Sequence, residues 1–200
     1  MSPGEFSKHI LNVSEKIVTN KPSFSMAFLN SSLIETKAAA VLVPLIIKGE
    51  EITIIFTKRS DTVAVHKGEI SFPGGMLEPD DNSLMECAVR ETVEEIGLDK
   101  KQITPLGYLN SVTTGTGFQI FPVLAVIVKP VLYKISQSEV ASIHEIPLVE
   151  LMKPSNRAEK KLLFNGHEII DYRFNIEDIT IWGATGRILH SYIKSINDFL

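Results

Sequence analysis

The sequence predicts an α/β fold in which helices pack on both faces of a mixed β-sheet, an α/β/α sandwich. Apolar runs of strand length fill the middle of the 200-residue chain, and apolar residues recur every three or four positions near both ends. The composition, 44% hydrophobic and 22% charged, is that of an ordinary globular protein. A chain of this length buries roughly 70% of its unfolded surface and needs no disulfide or structural metal.

Each element is justified by a local pattern. Phe6, Ile10, Val13 and Ile17 lie on one face of a helix, and Asn165-Gly166 is a strong hairpin signal. In chain order we predict a helix over 5–19, strands over 41–47 and 52–57 joined by a hairpin, a short strand near 69–72 within a loop over 58–81, a helix over 83–96, strands over 106–111 and 119–128, a helix over 139–152 as far as Pro147, a hairpin of 162–164 and 169–174, and a helix over 184–196.

Composition also excludes several classes of protein. The net charge of −4 disfavours wrapping of a nucleic-acid backbone. The longest apolar run, 38–47, is ten residues long and contains Pro44, whereas a membrane span needs about 20 residues. Cys87 is the only cysteine, so no internal disulfide forms, which fits a reducing compartment. We therefore expect a cytoplasmic protein that binds neither nucleic acid nor membrane.

The most informative stretch is the acidic segment 77–100, which holds eight acidic and two basic residues. Ser83 followed by Glu86 predicts a capping box, and Gly97 predicts a left-handed helix end. Met85, Val89, Val93 and Ile96 predict one apolar stripe toward the core. These signals together define a helix over 83–96.

Three glutamates share another face of this helix. Glu91, Glu94 and Glu95 are spaced i, i+3, i+4, so their Cβ atoms lie roughly 5–6 Å apart. Arg90 is placed to bridge Glu86 and Glu94. Clustered carboxylates repel one another, and they are hard oxygen ligands suited to Mg²⁺ or Mn²⁺. The alternative is a solvated acidic face, but the Gly74-Gly75 pair ahead of the helix favours a ligand because glycine lets the backbone approach it closely.

The residues Gly75, Arg90, Glu91, Glu94, Glu95, Gly97 and Leu98 resemble the Nudix box in its Arg-Glu-x-x-Glu-Glu-x-Gly part. The first half departs from the usual spacing, because Asn82 stands where the box has a glutamate. We assign that role to Asp80 or Asp81, and prefer Asp81. The resemblance implies hydrolysis of a diphosphate linked to another group. It also implies Mg²⁺ or Mn²⁺ held by Glu91, Glu94, Glu95 and the Gly75 carbonyl, with Arg90 orienting the glutamates and one carboxylate acting as base.

A second resemblance is to the Nudix proteins of the coenzyme A pyrophosphatase type. It rests on segments 55–60 and 65–75, and also on 115–123, 139–148 and 181–189, and covers roughly residues 38–195. It divides the chain into an N-terminal helix with a connecting segment, 1–37, and a Nudix hydrolase domain, 38–200. It implies a coenzyme A-like nucleotide as binding partner. The substrate-binding candidates are Arg59, Lys58, His66, Lys67 and Gly74.

Several alternatives stay open. Ala64 stands where the signature has an arginine, which favours another nucleoside diphosphate derivative, such as ADP-ribose, a dinucleotide or a nucleoside triphosphate. A catalytically silent nucleotide-binding regulator is a third reading, against which all three box glutamates argue. Loop 113–117 either lines the substrate groove or only connects strands, and Glu139 is either an extra site carboxylate or a helix N-terminal acid. A homodimer is also left open.

Overall fold

A computed structural model of the chain describes residues 2–22, 37–61, 67–128, 131–164 and 167–199. In chain order the strands are β1 Lys37–Lys48, β2 Glu51–Arg59, β3 Ile70–Ser71, β4 Gly74–Met76, β5 Ile103–Tyr108, β6 Val112–Thr113, β7 Phe118–Ile127, β8 Val140–Pro147, β9 Arg157–Phe164, β10 His167–Ile176 and β11 Ile179–Ile181. The helices are α1 Pro3–Ile17, α2 Leu84–Ile96, α3 Leu148–Met152 and α4 Gly183–Asn197.

The main sheet is mixed, as the sequence predicts. β1 pairs parallel with β7 and antiparallel with β2 and β4, while β8 continues the sheet beyond β2. β1 and β2 form the predicted hairpin, in which Lys48 faces Glu51. The sheet order β3-β2-β1-β7-β5 places β1, the strand that carries β4, at its centre.

The sheet is buried on both faces. Successive side chains of a strand point to opposite faces, so neighbouring residues of β1 enter different cores. Val43 and Leu45 of β1 lie in a core beneath α1 and α4, whereas Leu42 and Ile46 lie in a second core beneath α2. This arrangement confirms the predicted α/β/α layers. It also explains why β1 is a continuous apolar run rather than an alternating one.

A separate three-stranded sheet, β11-β10-β9, packs against α4. β9 and β10 pair antiparallel, so the predicted hairpin strands are confirmed and extended, while the turn residues Asn165 and Gly166 lie outside the described residues. No helix among the described residues is long and apolar enough to cross a membrane.

The predicted helix over 139–152 is wrong over most of its length. Residues 140–147 form strand β8, and only Leu148–Met152 is helical. Val140, Ile143 and Ile146 have helical spacing, but pairing with seven residues of β2, from Thr53 to Arg59, overrides that local preference. Glu139 is therefore not a helix N-terminal acid.

Candidate active site

Helix α2 carries the glutamates, and its ends form largely as predicted. The Ser83 hydroxyl accepts a hydrogen bond from the Glu86 amide at 3.1 Å, and Gly97 ends the helix with φ of 70°. The return half of the capping box is absent, because the Glu86 carboxylate accepts from the Asn82 backbone and side-chain nitrogens instead. The helix thus begins at a side-chain cap and ends at a glycine in the left-handed conformation, which together fix where it starts and stops.

The buried face of α2 differs from the predicted stripe. Val89 and Ile96 are buried, whereas Met85 and Val93 pack only at the margin of the core. The remaining buried positions include small and polar residues: Cys87, Ala88, Thr92 and Glu95. The helix is therefore rotated so that one of its glutamates points inward.

Two glycines bring strand β4 close to this helix. A Cβ atom at Gly75 would overlap the Glu91 carboxylate, so a larger residue there would displace that carboxylate. Gly74 has φ of 153°, and a Cβ atom there would overlap the Ala40 carbonyl oxygen of β1. The Gly-Gly pair therefore places backbone directly beside the carboxylates.

Arg90 organises the acidic residues. Its Nε and Nη2 donate to the two Asp81 oxygens at 3.0 Å each, and its Nη1 donates to Glu91 and Glu94 at 3.0 Å each. The predicted contact between Arg90 and Glu86 is wrong, whereas the predicted contact between Arg90 and Glu94 is present. The Asp81 side chain is only 2% exposed, and the Arg90 hydrogen bond lowers its pKa to about 2.

The three glutamates span the full range of exposure. The Glu94 side chain is 56% exposed, that of Glu91 is 15% exposed, and Glu95 is 5% exposed as a whole residue. Burial raises the pKa of Glu91. Burial and the nearby Glu91 raise the pKa of Glu95 to about 8, against the opposing effects of Arg59 and of the Gly74 amide.

Unsatisfied polar atoms mark the inner end of the site. Glu95 Oε2 and Arg59 Nε are buried and have no hydrogen-bond partner among the described residues. Glu139, exposed at the start of β8, is close enough to raise the pKa of both Glu91 and Glu95. Two acids from α2 and Glu139, which immediately precedes β8, therefore share a region in which Arg59 of β2 is a neighbouring cation.

The donor chemistry of this region fits a divalent cation. The orphaned Glu95 oxygen, the adjacent Glu91 carboxylate and the backbone of Gly75 are hard oxygen donors. Within the described ranges, no three His, Cys, Asp or Glu side chains already stand in a metal-holding arrangement. Arg90 Nη1 donates to Glu91 Oε1 and Glu94 Oε2, so a cation that used either of these oxygens would compete with the guanidinium.

A cavity of about 560 Å³ opens beside the glycine pair. Arg59, Phe72, Gly74 and Gly75 line one part of it, and residues 114–116 and 182–188 line other parts. Its volume falls within the range of small-molecule sites. Loop 113–117 thus faces this cavity as well as joining β6 to β7.

The structure separates the predicted substrate-binding residues. Arg59 and Gly74 lie in the large cavity, whereas Lys58 and Lys67 line a smaller one of about 280 Å³ with His144 and Asp178. Lys58 and Arg59 diverge because consecutive residues of β2 point to opposite sides. His66 and Ala64 lie outside the described residues, so the prediction for His66 stays a prediction.

Sequence reasoning assigned no site role to two residues of the large cavity. Arg187 of α4 lines it, and Trp182, 40% exposed, borders both cavities. Both residues belong to segment 181–189, which the resemblance included. The signal that could have identified Arg187 is its positive charge within that segment, in the first turns of a helix.

Comparison with known proteins gives consistent results. A family model described as "NUDIX domain" matches residues 36–190. A protein of Yersinia enterocolitica named "Uncharacterized Nudix hydrolase NudL" is 33% identical over 159 residues, covering 80% of this chain and 81% of that protein. A NudL-named protein of Cronobacter sakazakii is 30% identical over 178 residues, covering 89% of this chain and 90% of that protein.

Solved structures show the same fold at low identity. A MutT/nudix family protein from Enterococcus faecalis superimposes with a TM-score of 0.59 at 13% identity, covering 96% of this chain and 74% of that one. A MutT protein from Methanosarcina mazei Go1 superimposes with a TM-score of 0.51 at 17% identity, covering 82% of this chain and 96% of that one.

Proposed function

The chain belongs to the Nudix family, as a hydrolase of phosphoanhydride bonds in nucleoside diphosphate derivatives, and from that premise we propose that its substrate is coenzyme A or an acyl-coenzyme A. The products would be a phosphopantetheine or its acyl form and adenosine 3′,5′-bisphosphate. Nudix hydrolases generally need a divalent metal ion, and we propose Mg²⁺ or Mn²⁺ here.

The observation that carries this proposal is the lining of the large cavity. Arg59 with segment 69–76, segment 114–120 and segment 182–188 are distant in the chain, and each overlaps a segment that resembles the coenzyme A pyrophosphatase type. They meet around one cavity that reaches the Gly74-Gly75 pair. A substrate held there would present its diphosphate to the carboxylates of α2.

The roles of the residues follow from their positions. Glu91, Glu95 and the Gly75 carbonyl would hold the cation, with Glu94 joining them if it leaves Arg90. A bound divalent cation neutralises diphosphate charge and lowers the pKa of water. Arg59, which lies close enough to Glu95 to lower its pKa, would contact the diphosphate. Arg90 is a positioning residue because its guanidinium donates to the carboxylates of Asp81, Glu91 and Glu94 and to the Met76 carbonyl oxygen.

One observation favours another substrate. Ala64 replaces the arginine of the coenzyme A signature, which removes a cation that could grip the substrate's phosphates. Without it, ADP-ribose, a dinucleotide or a nucleoside triphosphate is the second candidate. A silent regulator would not need Glu91, Glu94 and Glu95, so the retention of all three argues against it.

A substrate panel tests the proposal. Coenzyme A, acetyl-coenzyme A, ADP-ribose, NADH and a nucleoside triphosphate are incubated with Mg²⁺ or Mn²⁺, and products are identified by mass spectrometry. We expect the highest kcat/KM for a coenzyme A substrate, with adenosine 3′,5′-bisphosphate as product. A higher kcat/KM for ADP-ribose, NADH or the triphosphate would contradict the proposal.

The matched variants are Glu95→Gln and Glu86→Gln, which each remove one charge from α2. The Glu86 carboxylate accepts hydrogen bonds from Asn82 and lies 3.8 Å from Lys100, so its replacement should leave turnover near wild type. Activity that survives in Glu95→Gln at the wild-type level would indicate a contaminating enzyme or a different site.

A further inference from the structure

Arg187 is a cation of the large cavity that has no direct partner among the described residues. It lies in the first turns of α4, is partly buried and lines the cavity wall. Among the residues that the structure describes, it forms no hydrogen bond and no salt bridge. A guanidinium in this position has its donors available to a ligand.

Asp171, whose charge acts on Arg187, is bonded to other groups. Asp171 of β10 is buried, and its two oxygens accept from the Gly183 amide at 3.1 Å and from Arg173 Nε at 2.8 Å. Asp171 acts on Arg187 only at a distance, where it opposes the lowering of the Arg187 pKa by burial. The charge of Arg187 is therefore uncompensated by direct contact.

Two cations thus mark separate parts of one cavity. Arg59 interacts electrostatically with Glu95 of α2, whereas Arg187 interacts electrostatically with Asp171 of the three-stranded sheet. Apolar residues, including Val41, Phe118 and Ile120, complete the walls. Because a guanidinium fork matches a phosphate with two parallel hydrogen bonds, this cavity suits a molecule that has an anion beyond its diphosphate.

We propose that Arg187 binds a phosphate monoester on the ribose of the substrate, separate from the diphosphate that is hydrolysed. The proposal rests on the proposed function and extends it, since the 3′-phosphate of coenzyme A is such a group. Arg187 is then the residue that distinguishes nucleotides with a ribose phosphate from those without one.

The smaller cavity is the competing location for this phosphate. Lys58 and Lys67 line it together with two acids, Glu69 and Asp178, whereas Arg59 and Arg187 share the large cavity with one acid, Glu69. Burial, followed by Lys58, lowers the pKa of His144, which makes that imidazole a weaker source of positive charge. The large cavity is favoured because Arg187 lines the same cavity as Gly74 and Gly75, beside which the diphosphate would lie.

Binding of nucleotide fragments tests the proposal without turnover. Isothermal titration compares AMP, adenosine 3′,5′-bisphosphate and adenosine 2′,5′-bisphosphate on the full chain with Mg²⁺ present. We expect one bisphosphate to bind at least about tenfold more tightly than AMP, and the preferred isomer identifies which ribose phosphate is recognised. Arg187→Gln should abolish that preference and leave AMP affinity within about twofold.

Further variants separate the possible outcomes. Lys194→Gln removes the same charge from an exposed position of α4 and should keep the preference. Arg187→Met keeps the apolar stem and replaces Arg187→Gln if the latter does not fold. The proposal is overturned if wild type shows no preference, if both Arg187 variants retain it, or if Lys58→Gln abolishes it while Arg187→Gln does not. Should the preference depend on Arg187 while no coenzyme A derivative is hydrolysed, the proposed function fails and the phosphate site stands.

Discussion

Glu95 is the residue on which the account of this site depends. It is a 5% exposed carboxylate with an oxygen that has no partner among the described residues, beside a second acid, Glu91. Burial of an unpaired charge costs several kcal/mol, and strongly perturbed carboxyl groups of this kind cluster at functional sites. A cation at this position would supply the missing partner.

Replacement of Glu95 therefore affects activity and stability in opposite directions. We predict that Glu95→Gln lowers kcat by at least about 100-fold, because it removes a carboxylate ligand. In the metal-free protein at pH 9, where this carboxyl group of pKa about 8 is ionised, the same change should raise the free energy of unfolding by about 2 kcal/mol. Steady-state kinetics and urea unfolding in EDTA measure the two effects. Unchanged kcat, or a less stable metal-free variant, would contradict this view of Glu95.

Asp81 differs from Glu95 in that its buried carboxylate is paired with a cation, Arg90. Its carboxylate is buried and held by Arg90, so Asp81→Asn should lower the free energy of unfolding at pH 7 by about 1.5–3 kcal/mol. Because the folded-state pKa is lowered from 3.8 to about 2, this stabilisation exists above about pH 4 and is lost as the pH falls toward 2. Urea unfolding at several pH values measures the difference.

The exposed neighbour provides the control for this pH series. Asp80→Asn removes the same charge from an exposed side chain and should change stability by less than about 0.5 kcal/mol at every pH. A difference between wild type and Asp81→Asn that stayed constant down to pH 2 would contradict the assigned role of Arg90.

At the scale of elements, strand β4 approaches helix α2 closely, with Gly75 directly beside Glu91. The Cβ atom of Gly75→Ala would overlap the Glu91 carboxylate, so this variant should lose more than about tenfold in kcat. Gly4→Ala is the control, because its Cβ atom would meet only the flexible end of Glu50, remote from the site. Enzyme kinetics on the two variants decide the matter, and equal activity would show that the close approach of β4 is unimportant.

The same scale shows which elements a sequence predicts well. Helix α2 was predictable because its signals are local: Ser83 as cap, Gly97 as end and the apolar spacing between them. Strand β8 was not, because its helical spacing conflicts with its pairing to β2, and pairing between distant strands leaves no local signal.

The candidate site was predictable to a similar extent. Spacing placed Glu91, Glu94 and Glu95 near one another, but their graded burial depends on the rotation of α2 against the sheet. The cavity position of Arg187 depends on how α4 packs beside β10, which motif spacing does not reveal.

At the scale of the whole molecule, the N-terminal helix belongs to the same core as the sheet. Ile10 and Val13 of α1 are buried in the cluster that contains Leu45 of β1, and the Ser14 and Tyr192 hydroxyls form a buried hydrogen bond at 2.9 Å. The described part of segment 1–37 therefore supports the fold that holds the site, although the family model begins only at residue 36.

This packing predicts a stability effect remote from the chemistry. Ile10→Ala should lower the free energy of unfolding by about 2–4 kcal/mol through the cavity it leaves, with kcat within about twofold of wild type at a temperature where the variant is folded. Urea unfolding and kinetics measure the two quantities. An unchanged free energy of unfolding would mean that α1 does not stabilise the catalytic layers.

The most direct test of the central claim is a calorimetric titration of the protein with Mn²⁺, without substrate, in wild type, Glu95→Gln and Glu86→Gln. If the inward-facing acids of α2 form the cation site, wild type and Glu86→Gln bind Mn²⁺ with similar affinity, and Glu95→Gln binds it more than about tenfold more weakly. Equal affinity in Glu95→Gln, or no binding by wild type, would contradict the claim.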